Sequence, residues 1–236
     1  MRHTRLFIHT RGHPSAILLL VQLAGMLLYP FIERTPESHV AFNAFGIVVL
    51  AFTIRMVRRT PGETWISVAL AVPIIILLVL QSLFDLRVLL PWSSALEALF
   101  YFYAALSLVA YMMEDQRATT DELFAAAATF TLLAWGFTHL YILVQELQPG
   151  TFVAAVNAAA PRSWSELNYL SFALLSSTGI GDVIPLTPHA RALASVEMLV
   201  GLMYLAAVVA RLIGFTTQSK IARRRERRGG DSWEQD

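Results

Sequence analysis

The chain has no cysteine among its 236 residues, which excludes disulfides, thiolate nucleophiles and Cys-ligated metals. It is also poor in charge. Only 15% of its residues are charged, 56% are hydrophobic, and mean hydropathy is +0.56. A soluble domain carries about 25% charged residues, so this composition is that of an integral membrane protein. There is no low-complexity tract and no sustained heptad pattern. Internal repeats are missing too, which argues against a transporter built from repeated halves. A net charge of +1 says nothing by itself about partners. The placement of the charges says more.

A membrane span needs about 20 apolar residues. Six stretches qualify: 15–32, 39–57, 64–84, 90–113, 120–147 and 190–215. A seventh helical stretch, 163–176, is too short to cross and reads as re-entrant. Basic residues 1–13 followed by apolar 15–32 have the outline of a signal peptide. The apolar run is long for one, and no small-x-small cleavage site follows, so a retained helix is expected. Arg2, Arg5 and Arg11 precede the first span. Arg55, Arg58 and Arg59 follow the second, and Arg117 lies between the fourth and fifth. Lys220, Arg223, Arg224, Arg225, Arg227 and Arg228 follow the sixth. The opposite loops hold Arg34, Arg87, Arg162 and Arg191. The positive-inside rule then puts both termini in the cytoplasm, in a cell membrane. The expected organisation is a basic N-terminus (1–14), a four-helix membrane domain (15–118), a helix–loop–helix unit (119–216) and a basic tail (217–236).

The most informative run lies between the last two spans: Ser176-Ser177-Thr178-Gly179-Ile180-Gly181-Asp182-Val183-Ile184-Pro185. Gly-x-Gly is poor helix material. Irregular backbone at membrane depth survives only where it is buried in protein or lines a water-filled path. The run therefore suggests a pore or a catalytic cavity. Just before it, Ser163-x-x-Glu166 spells a capping box that would start the short helix.

The run resembles the selectivity filter of the potassium-channel superfamily, whose usual form is Thr-Thr-Val-Gly-Tyr-Gly-Asp. Ser176 and Ser177 stand at the two threonines, Thr178 at the valine and Ile180 at the tyrosine. Both glycines and Asp182 match. The likeness continues through Pro185 into 192–215, with Gly201 at the usual hinge-glycine position, and covers about 119–215.

The resemblance implies an all-α membrane protein of six spans plus a re-entrant pore helix, assembled as a homotetramer. Four loops would ring the ion with backbone carbonyls. The implied K⁺ ligands come from Ser177, Thr178, Gly179, Ile180 and Gly181, with the Ser177 hydroxyl at the cavity end. Carbonyls that point inward in succession need alternating backbone hands, so Gly179 and Gly181 are expected at positive φ. The pore helix would aim its negative end at a central cavity. K⁺ is the permeant ion, no cofactor is implied, and no enzyme activity is expected.

Family pore helices often carry aromatics that bond the filter tyrosine and the aspartate. Here Tyr169 and Leu170 stand at those places. Leu170 cannot donate and Ile180 has no hydroxyl, so an apolar contact is expected where the family has a polar one. Tyr169 can still donate to Asp182. That change keeps a non-selective monovalent cation channel open as the alternative to a K⁺-selective one. In voltage-gated relatives the fourth helix carries an arginine at every third position, each charge being worth about 2.3 kcal/mol per 100 mV. Span 90–113 holds only Glu97 and no arginine, so a voltage sensor is not expected.

Several residues have a second reading. Gly201 suits close helix packing as well as a hinge. Glu197, one turn earlier, is an intramembrane acid, functional by default or bonded behind the filter. His139 and Glu146 share a face, but no third ligand has suitable spacing for a metal. Arg211 reads as a snorkelling side chain. The tail 220–228 suits anionic lipid, with no nucleic-acid partner expected. Gly179-Ile180-Gly181-Asp182 also spells the motif of intramembrane aspartyl proteases. Those enzymes need a second aspartate at depth. Asp85 lies at the outer end of a span, and Asp115 and Asp121 lie at the cytoplasmic side, so no aspartate stands mid-span.

Overall fold

The computed structural model describes residues 14–32, 38–58, 64–84, 86–114 and 120–230. Arg2, Arg5, Arg11, Arg34, Arg59, Arg117, Asp85 and Asp115 lie outside the described residues, as do the side chains of 220–228. The helices are α1 (Pro14–Ile32), α2 (Ser38–Val57), α3 (Thr64–Phe84), α4 (Leu90–Glu114), α5 (Thr120–Leu147), α6 (Trp164–Leu175) and α7 (Pro188–Gly230). A 3₁₀ turn, Arg87–Leu89, leads into α4.

Five helices are long and apolar enough to cross a membrane, among the described residues. The remaining expected span, 39–57, corresponds to α2, which is 20 residues long. Asn43 donates to Ser82 Oγ at 2.9 Å, which ties α2 to the end of α3. The last helix also departs from expectation. It continues through the basic tail to Gly230 instead of stopping at 215. Lys, Arg, Gln and Glu are good helix formers, and no glycine or proline interrupts them before Gly229.

Helix α5 is the centre of the molecule, packed against α1, α4, α6 and α7. Its buried face includes Ala128, Leu132, Ala134, Trp135, Phe137 and Tyr141. Rings interlock along the α4–α5 seam, where Tyr101 meets Trp135 at 5.7 Å and Phe102 meets Phe137 at 5.0 Å. Gly136 leaves room for the Phe102 ring, which a Cβ there would approach to 3.0 Å. The start of α1 is pinned by Asp121 of α5. Its Oδ1 accepts from Ser15 N at 3.1 Å and its Oδ2 from Ser15 Oγ at 2.8 Å. A carboxylate there satisfies an orphan amide and complements the helix dipole. The four N-terminal helices are thereby joined to the helix–loop–helix unit through α5.

Two short strands, β1 (Phe152–Val153) and β2 (Ile184–Pro185), pair antiparallel. They fasten the segment after α5 to the segment before α7. Phe152 anchors the clip from its buried place against the Tyr141 ring, 5.2 Å away.

Candidate functional site

The short helix α6 begins as its sequence dictates. Ser163 Oγ accepts from Glu166 N at 3.4 Å, and Glu166 Oε2 accepts from Ser163 N at 2.7 Å, completing the capping box. Arg162 holds the approach to it. Its guanidinium is buried, pairs with Glu166 Oε1 at 3.0 Å, and donates to the carbonyls of Val156, Asn157 and Ala160. Gln145 of α5 clasps the Arg162 backbone in both directions, at 2.8 and 3.0 Å. Arg162 is therefore the knot of loop 150–162, a role its sequence position does not reveal.

The other end of α6 closes by geometry that the sequence hides. Ser177 N donates to Leu174 O and Thr178 N donates to Ala173 O, each at 3.0 Å. Ser177 lies in the left-handed region at φ 58. This is a Schellman motif, with serine where glycine usually stands. Gly179 N and Thr178 Oγ1 also reach Ala173 O, at 3.0 and 3.2 Å. The carbonyls of Phe172, Ala173 and Leu174 are thus all engaged locally.

The two expected glycines behave differently. Gly179 has φ 64. Gly181 is not at positive φ, and the other left-handed residue of this run is Ser177. The physical reason is that the helix cap itself requires a left-handed residue at 177. Gly181 instead lies beside Tyr169, whose ring a Cβ would meet at an ordinary 3.5 Å. Residues 177–182 are all exposed on the single chain, Ile180 by 72%. Leu170 is buried, whereas Ile180, its expected partner, is mostly exposed. Tyr169 is half exposed, and its ring faces Gly181.

Behind this loop, Glu197 of α7 is completely buried. It bonds Tyr141 of α5 through one oxygen and Ser171 of α6 through the other. Gly201, one turn on, lies hard against α6. A Cβ there would fall 2.0 Å from Leu175 O and 2.7 Å from Leu175 C. The geometry gives Gly201 a packing role, with α7 helical on both sides of it. Tyr204 adds a third tie, donating to Ala126 O at 2.6 Å.

His139 does not meet Glu146. Its Nδ1 lies 3.2 Å from Glu97 Oε2, poorly aligned for a hydrogen bond, and its ring stacks on Tyr101. No three metal-ligating side chains converge among the described residues. Arg211 reaches Glu122 at 3.2 Å instead of snorkelling freely. Asp121 is used by α1 and lies far along α5 from Asp182.

Sequence reasoning missed Arg162, Tyr141, Ser171 and the Asp121 cap. One signal was available: an acid within an apolar helix needs hydroxyl or cationic partners on its neighbours, and Tyr141 and Ser171 were candidates. No curated protein and no solved structure matches this chain. The family comparison covers the later part of α5, the loop with α6, and α7 as far as residue 218. Residues 140–218 match the family model for ion channels, which describes the two-helix unit of the potassium-channel superfamily.

Proposed function

We propose that four copies of this chain surround one central path and conduct K⁺ passively. The observation that carries this reading is the handover from α6 to the exposed loop 177–181 through left-handed Ser177 and Gly179. Backbone that alternates hands in this way can turn successive carbonyls toward an ion. The outward apolar surface of α7 supports assembly. Leu199, Leu202 and Met203 are each about 60% exposed on the single chain, and neighbouring copies would cover part of that surface. The permeant ion would bind between carbonyls of Ser177, Thr178, Gly179 and Ile180. Tyr169, Asp182 and Glu197 would support the loop. Leu170 would do so from within the core. Arginine placement supports cytoplasmic termini in the cell membrane, with the basic tail on anionic lipid. For Gly201, packing is favoured over bending by its contact with Leu175.

One observation favours a second reading, a non-selective monovalent cation channel. Ile180 has no hydroxyl and is mostly exposed on the single chain, so the outer loop lacks the bond that a filter tyrosine makes. The test is ion flux from proteoliposomes holding purified protein. Loss of K⁺ well above the rate of empty vesicles, with Na⁺ retained, is expected. Equal loss of both ions selects the second reading, and no loss of either refutes conduction.

A further inference from the structure

The joint around Glu197 has a hydrogen count that does not balance for a carboxylate. Three oxygen–oxygen contacts meet there. Tyr141 Oη touches Glu197 Oε2. Ser171 Oγ touches Glu197 Oε1. The same Ser171 Oγ lies 2.8 Å from Ala134 O. Each hydroxyl brings one hydrogen, and a carbonyl or carboxylate brings none. Tyr141 fills its own contact. Ser171 then has one hydrogen for two acceptors. Ala134 O supplies none, and it already accepts Thr138 Oγ1 at 2.7 Å. An ionised Glu197 would leave two acceptor oxygens facing each other.

A proton on Oε1 balances the count. Oε1–H donates to Ser171 Oγ, Ser171 donates to Ala134 O, and Tyr141 donates to Oε2. Every contact then holds one hydrogen. The surroundings agree. Glu197, Ser171 and Tyr141 are each 0% exposed. Among the described residues no ion pair involves Glu197. Arg162 is taken by Glu166, Arg211 by Glu122, and His139 by Glu97. An isolated buried carboxylate is costly, and neutralisation is its usual escape.

We propose that Glu197 is held as a neutral carboxylic acid and, through Ser171, is a positioning residue for α6 behind the loop. Its chain of donors runs from α7 to α6 to α5 in one direction. The positioning role rests on the conduction reading for its importance, but the protonated state does not.

Infrared spectroscopy of the full-length protein in lipid, with glutamate labelled at the side-chain carbonyl, tests the proton. At neutral pH a carboxylic C=O stretch is expected in the wild type and absent in Glu197→Gln. Ser171→Ala should retain the band and shift it, because the acid loses its acceptor. Identical wild-type and Glu197→Gln spectra, or an unshifted band in Ser171→Ala, would overturn the proposal. Hydrogen exchange of amides 164–175 tests positioning. Gln can donate to Ser171 and accept from Tyr141, so Glu197→Gln should exchange at the wild-type rate. Ser171→Ala and Glu197→Leu should exchange roughly tenfold faster, the equivalent of one lost buried bond. Equal rates in all variants, or fast exchange in Glu197→Gln, would overturn the positioning role. Both measurements read out whether or not the protein conducts, so failure of the proton and failure of the channel reading are distinct results.

Discussion

Replacing Gly201 with alanine separates packing from hinge bending. The new methyl carbon would fall 2.0 Å from Leu175 O. A carbon and an oxygen in ordinary contact stand more than an ångström farther apart. Backbone is on both sides, so no side chain can swing away; α7 must shift from the end of α6. Overpacking of this kind costs about 1–3 kcal/mol. The shift also strains the Glu197–Ser171 bond one turn away, and an orphaned buried polar group adds about 1–3 kcal/mol. The total loss expected is therefore about 2–6 kcal/mol. The assay is a titration of the purified protein in mixed micelles with a denaturing detergent, followed by tryptophan fluorescence. A hinge glycine predicts altered gating with unchanged stability. If Gly201→Ala unfolds within about 0.5 kcal/mol of the wild type, the scatter of an ordinary surface substitution, the packing account is wrong.

Gly179→Ala should abolish ion flux while leaving expression intact, because alanine resists the left-handed backbone seen at φ 64; Gly181→Ala, lacking that constraint, should be milder in the same flux assay. Ser177→Gly should raise the stability of α6 by about 1 kcal/mol, since it removes a side chain from a left-handed cap position, and hydrogen exchange of amides 164–175 would read the gain. Arg162→Ala frees the carbonyls of Val156, Asn157 and Ala160, so loop 150–162 should become the first site of limited proteolysis. Glu97→Leu leaves buried His139 without its 3.2 Å charge partner and should lower stability in the detergent titration, with His139→Leu added to it recovering part of the loss.

The parts of this protein that are legible in the sequence are those decided locally. Helix lengths follow from apolar runs except in α7, which continues through its basic tail, and the capping box at Ser163 and Glu166 is a four-residue pattern that formed as spelled. The Gly-x-Gly loop announces irregular backbone wherever it occurs. What is not legible depends on distant neighbours. Glu122 and Arg211 pair across 89 residues of sequence, and Ser15 with Asp121 across 106. Gly181 reads like Gly179, yet the left-handed place went to Ser177 because the helix end needed it there. That demand arises from where α6 stops, which no composition rule fixes. The sequence groups His139 with Glu146 on one helix face, whereas the packing of α4 on α5 brings it to Glu97.

The most direct test of the central claim is the reversal potential of the purified protein in a planar bilayer, with K⁺ on one side and Na⁺ on the other. A potential set by K⁺, with current lost in Gly179→Ala, is the predicted result. A reversal potential near zero, or current that survives Gly179→Ala unchanged, would contradict K⁺ conduction through loop 177–181.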